Sequence, residues 1–458
     1  MICHLQRRMW RTTFFRYFSP PRLRWVRIVA TTFGCALFLV TVSGFIPRLH
    51  APLFEKVKAV TDDVPVRLQK PISSVHLLPD LLAQLPHIRS VFKRMYTIRT
   101  DCARLSILPE FRAKAEEMFS AYGGPREHLL RAIENQKVVE VHNLVTGETA
   151  LFNNIRRFRP GSGSDGSNAT ERSAVAKLYT EGSGADLCDF CNKQRTAQDI
   201  FGRITGTHSY TASNVAKLSK WHSLVITNLH DPLALDADII ADVVAVSHRW
   251  FKRAHREDPL YVYPNIICDV GKRASASQVH FHAQMVLTRD RYFAGIDLLQ
   301  RVAMQYLEKH GTSYWDELVR LHQMLGLAVR VGNSAVFSNV CPRKERELFV
   351  LSKDPEDPSF ARAVALALMT LRDAVGVHSF SFVLSYPPLD ASNNYNLGKM
   401  PAILRVIDRG SALDPRSDTG ALEYFGSTYI AADPYAIIPH LTAAVDRFNA
   451  NLELNRTV

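Results

Sequence analysis

The spacing of apolar and polar residues divides the chain, from residue 138 onward, into strand and helix signals in a recurring order. Residues 138–160 (VVEVHNLVTGETALFNNIRRFRP) alternate with period two, turn at Thr146-Gly147-Glu148 and return, which predicts a hairpin. Residues 208–216 and 220–228 predict two further strands. Residues 235–253 predict an amphipathic helix. Ile239, Ile240, Val243, Val244, Ser247, Trp250 and Phe251 fall at helical spacing there, and Asp236 stands at the N-cap. Strands follow over 261–269 and around 280–284. Beyond them the pattern predicts a helix over 297–331, a strand over 335–353 and an apolar helix over 359–375. Strands over 379–386, 395–407 and 422–431 precede a closing helix over 434–448. The order strand, helix, strands near 205–290 returns near 333–410, which points to an internal duplication. Residues 50–135 carry helical patterns without a cluster of reactive side chains.

Charge changes this picture at one end. The formal net charge is +12, but the first 54 residues contain no Asp or Glu and hold Arg7, Arg8, Arg11, Arg16, Arg22, Arg24, Arg27 and Arg48. Much of the excess therefore belongs to a targeting feature, and no nucleic-acid partner is expected. Residues 28–46 are free of charge over a length that can cross a bilayer, with Arg27 and Arg48 at their ends. They predict a single-pass membrane anchor in a mitochondrial or endomembrane setting. The expected units are 1–54 (basic terminus and anchor), 55–137 (helical linker), 138–332 (catalytic half) and 333–458 (degenerate second half).

The candidate chemistry lies in residues 271–287, GKRASASQVHFHAQMVL. In a strand, His280, His282 and Gln284 project on one face. The small residues 274–277 before them let a backbone approach a ligand and offer N–H groups and hydroxyls to anionic oxygens. An imidazole beside such a cradle suits nucleophilic attack on phosphorus near neutral pH. Seven cysteines, mostly scattered, do not form a disulfide framework; only Cys188-Asp-Phe-Cys191 is a cluster. That spacing serves thiol redox or metal binding. For zinc, His222, His230 and His280 are available to complete a tetrahedron.

Taken together, these motifs resemble the histidine-triad superfamily, in its branch of galactose-1-phosphate uridylyltransferases and nucleotide-sugar phosphorylases. The resemblance runs through 139–448. It rests on Leu144-Val-Thr-Gly-Glu148 with Arg156-Arg-Phe-Arg159-Pro160, on Cys188–Cys191, on residues 221–230, and on Ser277-x-x-His280-x-His282-x-Gln284. It implies an α+β fold of antiparallel sheets with flanking helices, built as two histidine-triad-like repeats. It implies that His282 attacks the α-phosphorus and carries the nucleotide covalently, while Gln284 hydrogen-bonds the transferred phosphoryl. Ser277 and the preceding loop (Lys272, Arg273, Ser275) would hold phosphate oxygens, and Asn214 would touch ribose. Arg156 and Arg159 would meet phosphates, often across a homodimer. Cys188, Cys191, His230 and His280 would form a structural zinc site. Asp269 stands where the family's phosphate loop carries Asn, and Phe281 and Ala283 stand where the uridylyltransferase has Pro and Gly.

The expected activity is nucleotidyl transfer or phosphorolysis of a nucleoside diphosphate sugar, with phosphate or a sugar phosphate as acceptor. The alternatives are a dinucleoside polyphosphate phosphorylase or hydrolase, and a non-catalytic, membrane-tethered nucleotide-binding protein.

Overall fold

The computed structural model describes residues 72–158, 169–180, 187–390 and 399–454. The first helices are α1 (Leu78–Gln84) and α2 (Pro86–Met95), each with proline in its first turn, where a missing N–H loses no helical partner. α2 leads directly into β1 (Tyr96–Arg104), a strand that the sequence pattern did not suggest. After Tyr96 its side chains are mostly exposed on both faces, so there is no alternation to detect. Its order comes from pairing along its whole length with β2 (Asn135–Asn143). The helices α3 (Pro109–Met118) and α4 (Arg126–Glu134) connect these two strands. The predicted hairpin is β2 with β3 (Thr149–Asn153), and β13 (Ser427–Ile430) adds in parallel to complete the four-stranded sheet β1-β2-β3-β13.

The main sheet has nine strands. They are β4 (Ser209–Ser213), β5 (Trp221–Thr227), β6 (Tyr263–Val270), β7 (His282–Thr288), β8 (Ala328–Val331), β9 (Ser334–Ser338), β10 (Leu348–Ser352), β11 (Phe380–Ser385) and β12 (Ala402–Asp408). Their spatial order is β4-β5-β7-β6-β11-β12-β10-β9-β8, antiparallel throughout. After α5 (Ala169–Thr180), the helix α6 (Ala237–Glu257) links β5 to β6. After α7 (Ala294–His310) and α8 (Tyr314–Met324), α9 (Pro358–Met369) links β10 to β11. The order β4-β5-β7-β6 around α6 is thus repeated as β9-β10-β12-β11 around α9, and the two sets meet at β6 and β11.

Two expectations, one helix and one strand, are redrawn. The segment 297–331 is two helices and a strand. Gly311, at φ +67°, ends α7, and the Ser313 hydroxyl caps α8 by accepting from the Asp316 N–H. The predicted strand over 335–353 is β9 and β10 with a turn between them.

One face of the large sheet is covered by α6 and α9. Val225, Ala283, Met285, Leu287, Ile266, Cys268, Phe382 and Leu404 pack beneath them. On the other face of the second half, Phe337, Phe349 and Ile403 join α2, α8 and the four-stranded sheet in a second core. That leaves the opposite face of β5, β7 and β6 for the site.

The expected membrane anchor is corrected. Residues 28–46 lie outside the described residues, and among the described ones no helix is long and apolar enough to cross a membrane. The longest helix among the described residues, α6, is amphipathic, with Asp238, Asp242, Arg249, Lys252, Arg253 and Arg256 along it. The mitochondrial or endomembrane placement built on that anchor is withdrawn with it.

Candidate functional site

A single 3₁₀ turn, Asp189–Cys191, brings the two motif cysteines to the end of β5. Cys188 Sγ lies 3.5 Å from His280 Nδ1; Cys191 Sγ lies 3.4 Å from the same atom and 3.3 Å from His230 Nδ1. One donor atom from each of these four residues falls within 4.8 Å of the others. A tetrahedral ion with metal–sulfur and metal–nitrogen bonds of about 2.3 and 2.1 Å has a sulfur–nitrogen edge of about 3.6 Å, so the donor set fits zinc. The ring of His280 is prepared for this role. Its Nε2–H donates to the Thr227 carbonyl at 2.8 Å, which leaves Nδ1 unprotonated toward the thiols. Burial lowers the His280 pKa to about 4, so the ring is neutral as a ligand must be. His222, also available by sequence, is not part of this group.

β7 begins at His282, so His280 stands before the strand and the expected unbroken strand carrying both rings is shortened. His282 and Gln284 share a face of β7, opposite Ile226 and Leu224 of β5. The His282 Nδ1–H donates to the His280 carbonyl at 2.9 Å. The proton is thereby held on Nδ1, and Nε2 keeps its lone pair. The ring packs edge-on against Phe190, with centroids 5.1 Å apart. Burial pushes its pKa below the ordinary value; the His280 carbonyl and the Asp269 carboxylate oppose the shift.

No protein-family model matches this sequence, and no curated protein matches it. Solved structures do. The chain is similar to a GalT-like protein of Arabidopsis thaliana at 16% identity and TM-score 0.46, covering 57% of this chain and 92% of that one. It is similar to an ADP-glucose phosphorylase of Arabidopsis thaliana with bound ADP-glucose at 15% identity and TM-score 0.47, covering 65% and 95%. It is similar to a yeast Ap4A phosphorylase in complex with Ap4A at 13% identity and TM-score 0.28, covering 73% and 97%. These neighbours are of the kinds that the sequence motifs resemble.

The loop after β6 is a tight turn. Gly271 takes φ +84°, and its carbonyl accepts from the N–H of Ala274 (3.0 Å) and Ala276 (3.2 Å). Ser275 follows at φ +67°, a left-handed conformation that a non-glycine residue adopts only when its surroundings impose it. Lys272, Ser275 and Ser277 are exposed. Arg273 turns away from solvent. Its guanidinium donates to the carbonyls of Arg409 (3.1 Å) and Asp414 (2.8 Å) and lies 3.6 Å from the Asp414 carboxylate. It fastens the loop to the second half of the chain. Asn214 borders the site, with Nδ2 3.2 Å from His222 Nε2. Arg156 lies over the ring of Tyr429, 4.4 Å from its centroid, and no hydrogen bond or ion pair among the described residues joins it to His282. Arg159 lies outside the described residues.

Two residues that the sequence named find partners that local spacing does not give. Asp269, two residues past Ile267 on the face of Gln284, accepts from the Ser381 hydroxyl at 2.5 Å and lies 3.7 Å from Arg409 Nη1. The second half thus supplies a hydroxyl and a cation to this acid. His222 is the other: it bonds to Gln284 across the β5–β7 ladder. Only strand pairing brings these residues together, and no local spacing reports it.

Proposed function

We propose that this chain is a nucleotidyltransferase or phosphorylase of the histidine-triad type, acting on a nucleoside diphosphate sugar by double displacement through His282. The observation that supports this best is the lone pair left on His282 Nε2 by the Nδ1–H bond to the His280 carbonyl. A nucleophile needs a fixed tautomer, and this hydrogen bond supplies it.

In the first step the Nε2 lone pair attacks the α-phosphorus. The bond from that phosphorus to the bridging oxygen breaks, and sugar 1-phosphate leaves. In the second step an oxygen of phosphate or of a sugar phosphate attacks the same phosphorus, and the phosphorus–nitrogen bond breaks to return His282. The proton on Nδ1 stays with the His280 carbonyl throughout. Gln284 donates from its amide to the transferred phosphoryl. The 271–277 loop, through its backbone and Ser275, Ser277 and Lys272, receives phosphate oxygens, and Asn214 meets ribose. Positioning and fixed dipoles do most of the work in phosphoryl-type transfer.

Cys188, Cys191, His230 and His280 would hold zinc. Bound there it supplies a rigid cross-link and not a Lewis acid, since His280 is the residue whose carbonyl orients the nucleophile. We read the recurring strand order as two histidine-triad-like repeats, 138–332 and 333–458, with chemistry only in the first. The arginines at 156 and 159 fit a role toward phosphates in a homodimer.

The test uses the full chain with UDP-glucose and ADP-glucose labelled at the α-phosphorus and no acceptor. Acid-labile label on the protein, absent from His282→Ala, is the expected result. Label from diadenosine tetraphosphate alone would move the substrate to dinucleoside polyphosphates. No label from any of the three, on folded zinc-replete protein, would overturn covalent catalysis and leave a nucleotide-binding protein.

A further inference from the structure

Gln284 can present either edge of its amide to the site, since rotating the terminal torsion exchanges carbonyl and NH₂. For the reaction above only one edge serves: phosphoryl oxygens accept, so the amide must offer N–H. Something has to select it. The selection is written in the hydrogen bonds of His222, a residue 1% exposed near the start of β5.

The backbone N–H of Leu218 donates to His222 Nδ1 at 2.9 Å. A backbone N–H can only donate, so Nδ1 is the unprotonated nitrogen. In the neutral ring the proton is then on Nε2. Burial, which lowers the pKa of this ring, keeps it neutral. Nε2 lies 3.1 Å from Gln284 Oε1, so Nε2–H donates to that oxygen. The carbonyl of Gln284 is therefore occupied, and its NH₂ points elsewhere; among the described residues no protein group takes those hydrogens. Asn214 is set the same way. Its Oδ1 accepts the Ala216 N–H at 2.9 Å, and its Nδ2, 3.2 Å from His222 Nε2, faces a donor and cannot bond to it.

We propose that His222 is a positioning residue: the relay Leu218 N–H to His222 to Gln284 Oε1 locks the Gln284 amide with its NH₂ toward the transferred phosphoryl. The role rests on the reaction proposed at His282. His222 touches neither substrate nor the reacting atoms; it acts through Gln284. The relay makes this edge of the site a donor surface, suited to anionic or ether oxygens and unsuited to donor groups.

The experiment measures the rate of nucleotidyl-enzyme formation in the full chain, with UDP-glucose or ADP-glucose labelled at the α-phosphorus. His222→Phe keeps the ring and removes both nitrogens. It is expected to slow labelling about 10–100-fold, through kcat with KM unchanged, because it acts as an outer-shell partner of a group used in the transition state. In a Gln284→Ala background the same substitution is expected to have no further effect, because the relay then has nothing to orient. His222→Gln, which can accept from Leu218 and donate to Gln284, recovers most of the loss, and His222→Asn, which reaches only Leu218, does not.

A His222→Phe enzyme as fast as the parent overturns the role. So does an equal loss with and without Gln284, which would mark a merely structural effect. If His222→Phe lacks a cooperative unfolding transition, the contrast of Gln with Asn decides, and equal rates for the two overturn the role. A parent enzyme that takes no label overturns the reaction, and the role falls with it; a labelled parent with an indifferent His222 overturns the role alone.

Discussion

Gly271 shows how much a single backbone position carries. At φ +84° a side chain there is strained, and a Cβ would lie 2.2 Å from the Tyr179 hydroxyl and 3.1 Å from Ser379 Oγ. Neither neighbour can yield freely, because the Tyr179 hydroxyl donates to the His378 carbonyl at 3.0 Å and the Ser379 hydroxyl to the Val270 carbonyl at 3.0 Å. Gly271→Ala is expected to cost about 1–3 kcal/mol, read as a lower urea midpoint with an unchanged slope. The neighbouring small residues 274–277 were legible in the sequence as a place where the backbone could approach a ligand. What approaches Gly271 is the chain's own Tyr179, brought by α5, and no local pattern could have named it. Asp414, on the far side of the same loop, gives a pH signature. Its hydrogen bonds with Arg416, with Arg273 nearby, hold its pKa down at about 2 from an ordinary 3.8. A depressed folded pKa means that the contribution is present above the unfolded value and is lost as pH falls through the folded one. The difference in thermal midpoint between the parent and Asp414→Asn should therefore be constant above about pH 5 and shrink toward pH 2. A difference that does not change over that range would rule the ion pairs out as its cause.

At the scale of elements, the two sheets are held together by a buried charge cluster. Arg405 of β12 donates from Nε to Glu347 at 2.9 Å and from its terminal nitrogens to Glu148 at 3.3 Å, and Asn339 Nδ2 donates to the other Glu347 oxygen at 2.7 Å. Glu148 sits in the β2–β3 turn, so the guanidinium ties the small sheet to the large one. Arg405→Met would leave two carboxylates facing each other with one half-exposed cation, Arg343, beside Glu148. The expected cost is about 3–5 kcal/mol in urea unfolding, since removing one member of a buried pair strands the rest. Adding Glu347→Leu to Arg405→Met should restore part of it, and a purely additive pair would show that the charges do not interact. The Thr146-Gly147-Glu148 turn was plain in the sequence, and so was α6 from its stripe and cap. The strand β1 and the break between α7 and α8 were missed for different reasons. β1 has no hydrophobic period to read. The break had a readable signal, Gly311 followed by Ser313, which the apolar pattern running across it concealed.

On the scale of the whole molecule, the candidate site belongs to one repeat in sequence but to both in structure. β6 and β7 carry Asp269, His282 and Gln284, yet β6 pairs along six residues with β11, and Ser381 and Arg409 reach Asp269 from that side. The motifs alone locate the chemistry in 138–332, because each motif is a short local string; dependence on the second half lies in pairings that sequence spacing does not encode. Cutting the chain at residue 332 would open the hydrogen-bonding edge of β6. It would also expose Ile266, Cys268 and Val270, which share a core with Phe380, Phe382, Val364 and Leu368. An unpaired edge beside a large apolar face favours aggregation. A fragment of residues 1–332 is therefore expected to lack a cooperative unfolding transition and to take no label at His282. Co-expression with residues 333–458 is expected to restore both, since the seam consists of backbone pairing and apolar contact that two chains can form. A soluble 1–332 fragment that unfolds cooperatively and labels at His282 would show the opposite: that the second repeat covers the site's edge without being needed to build it.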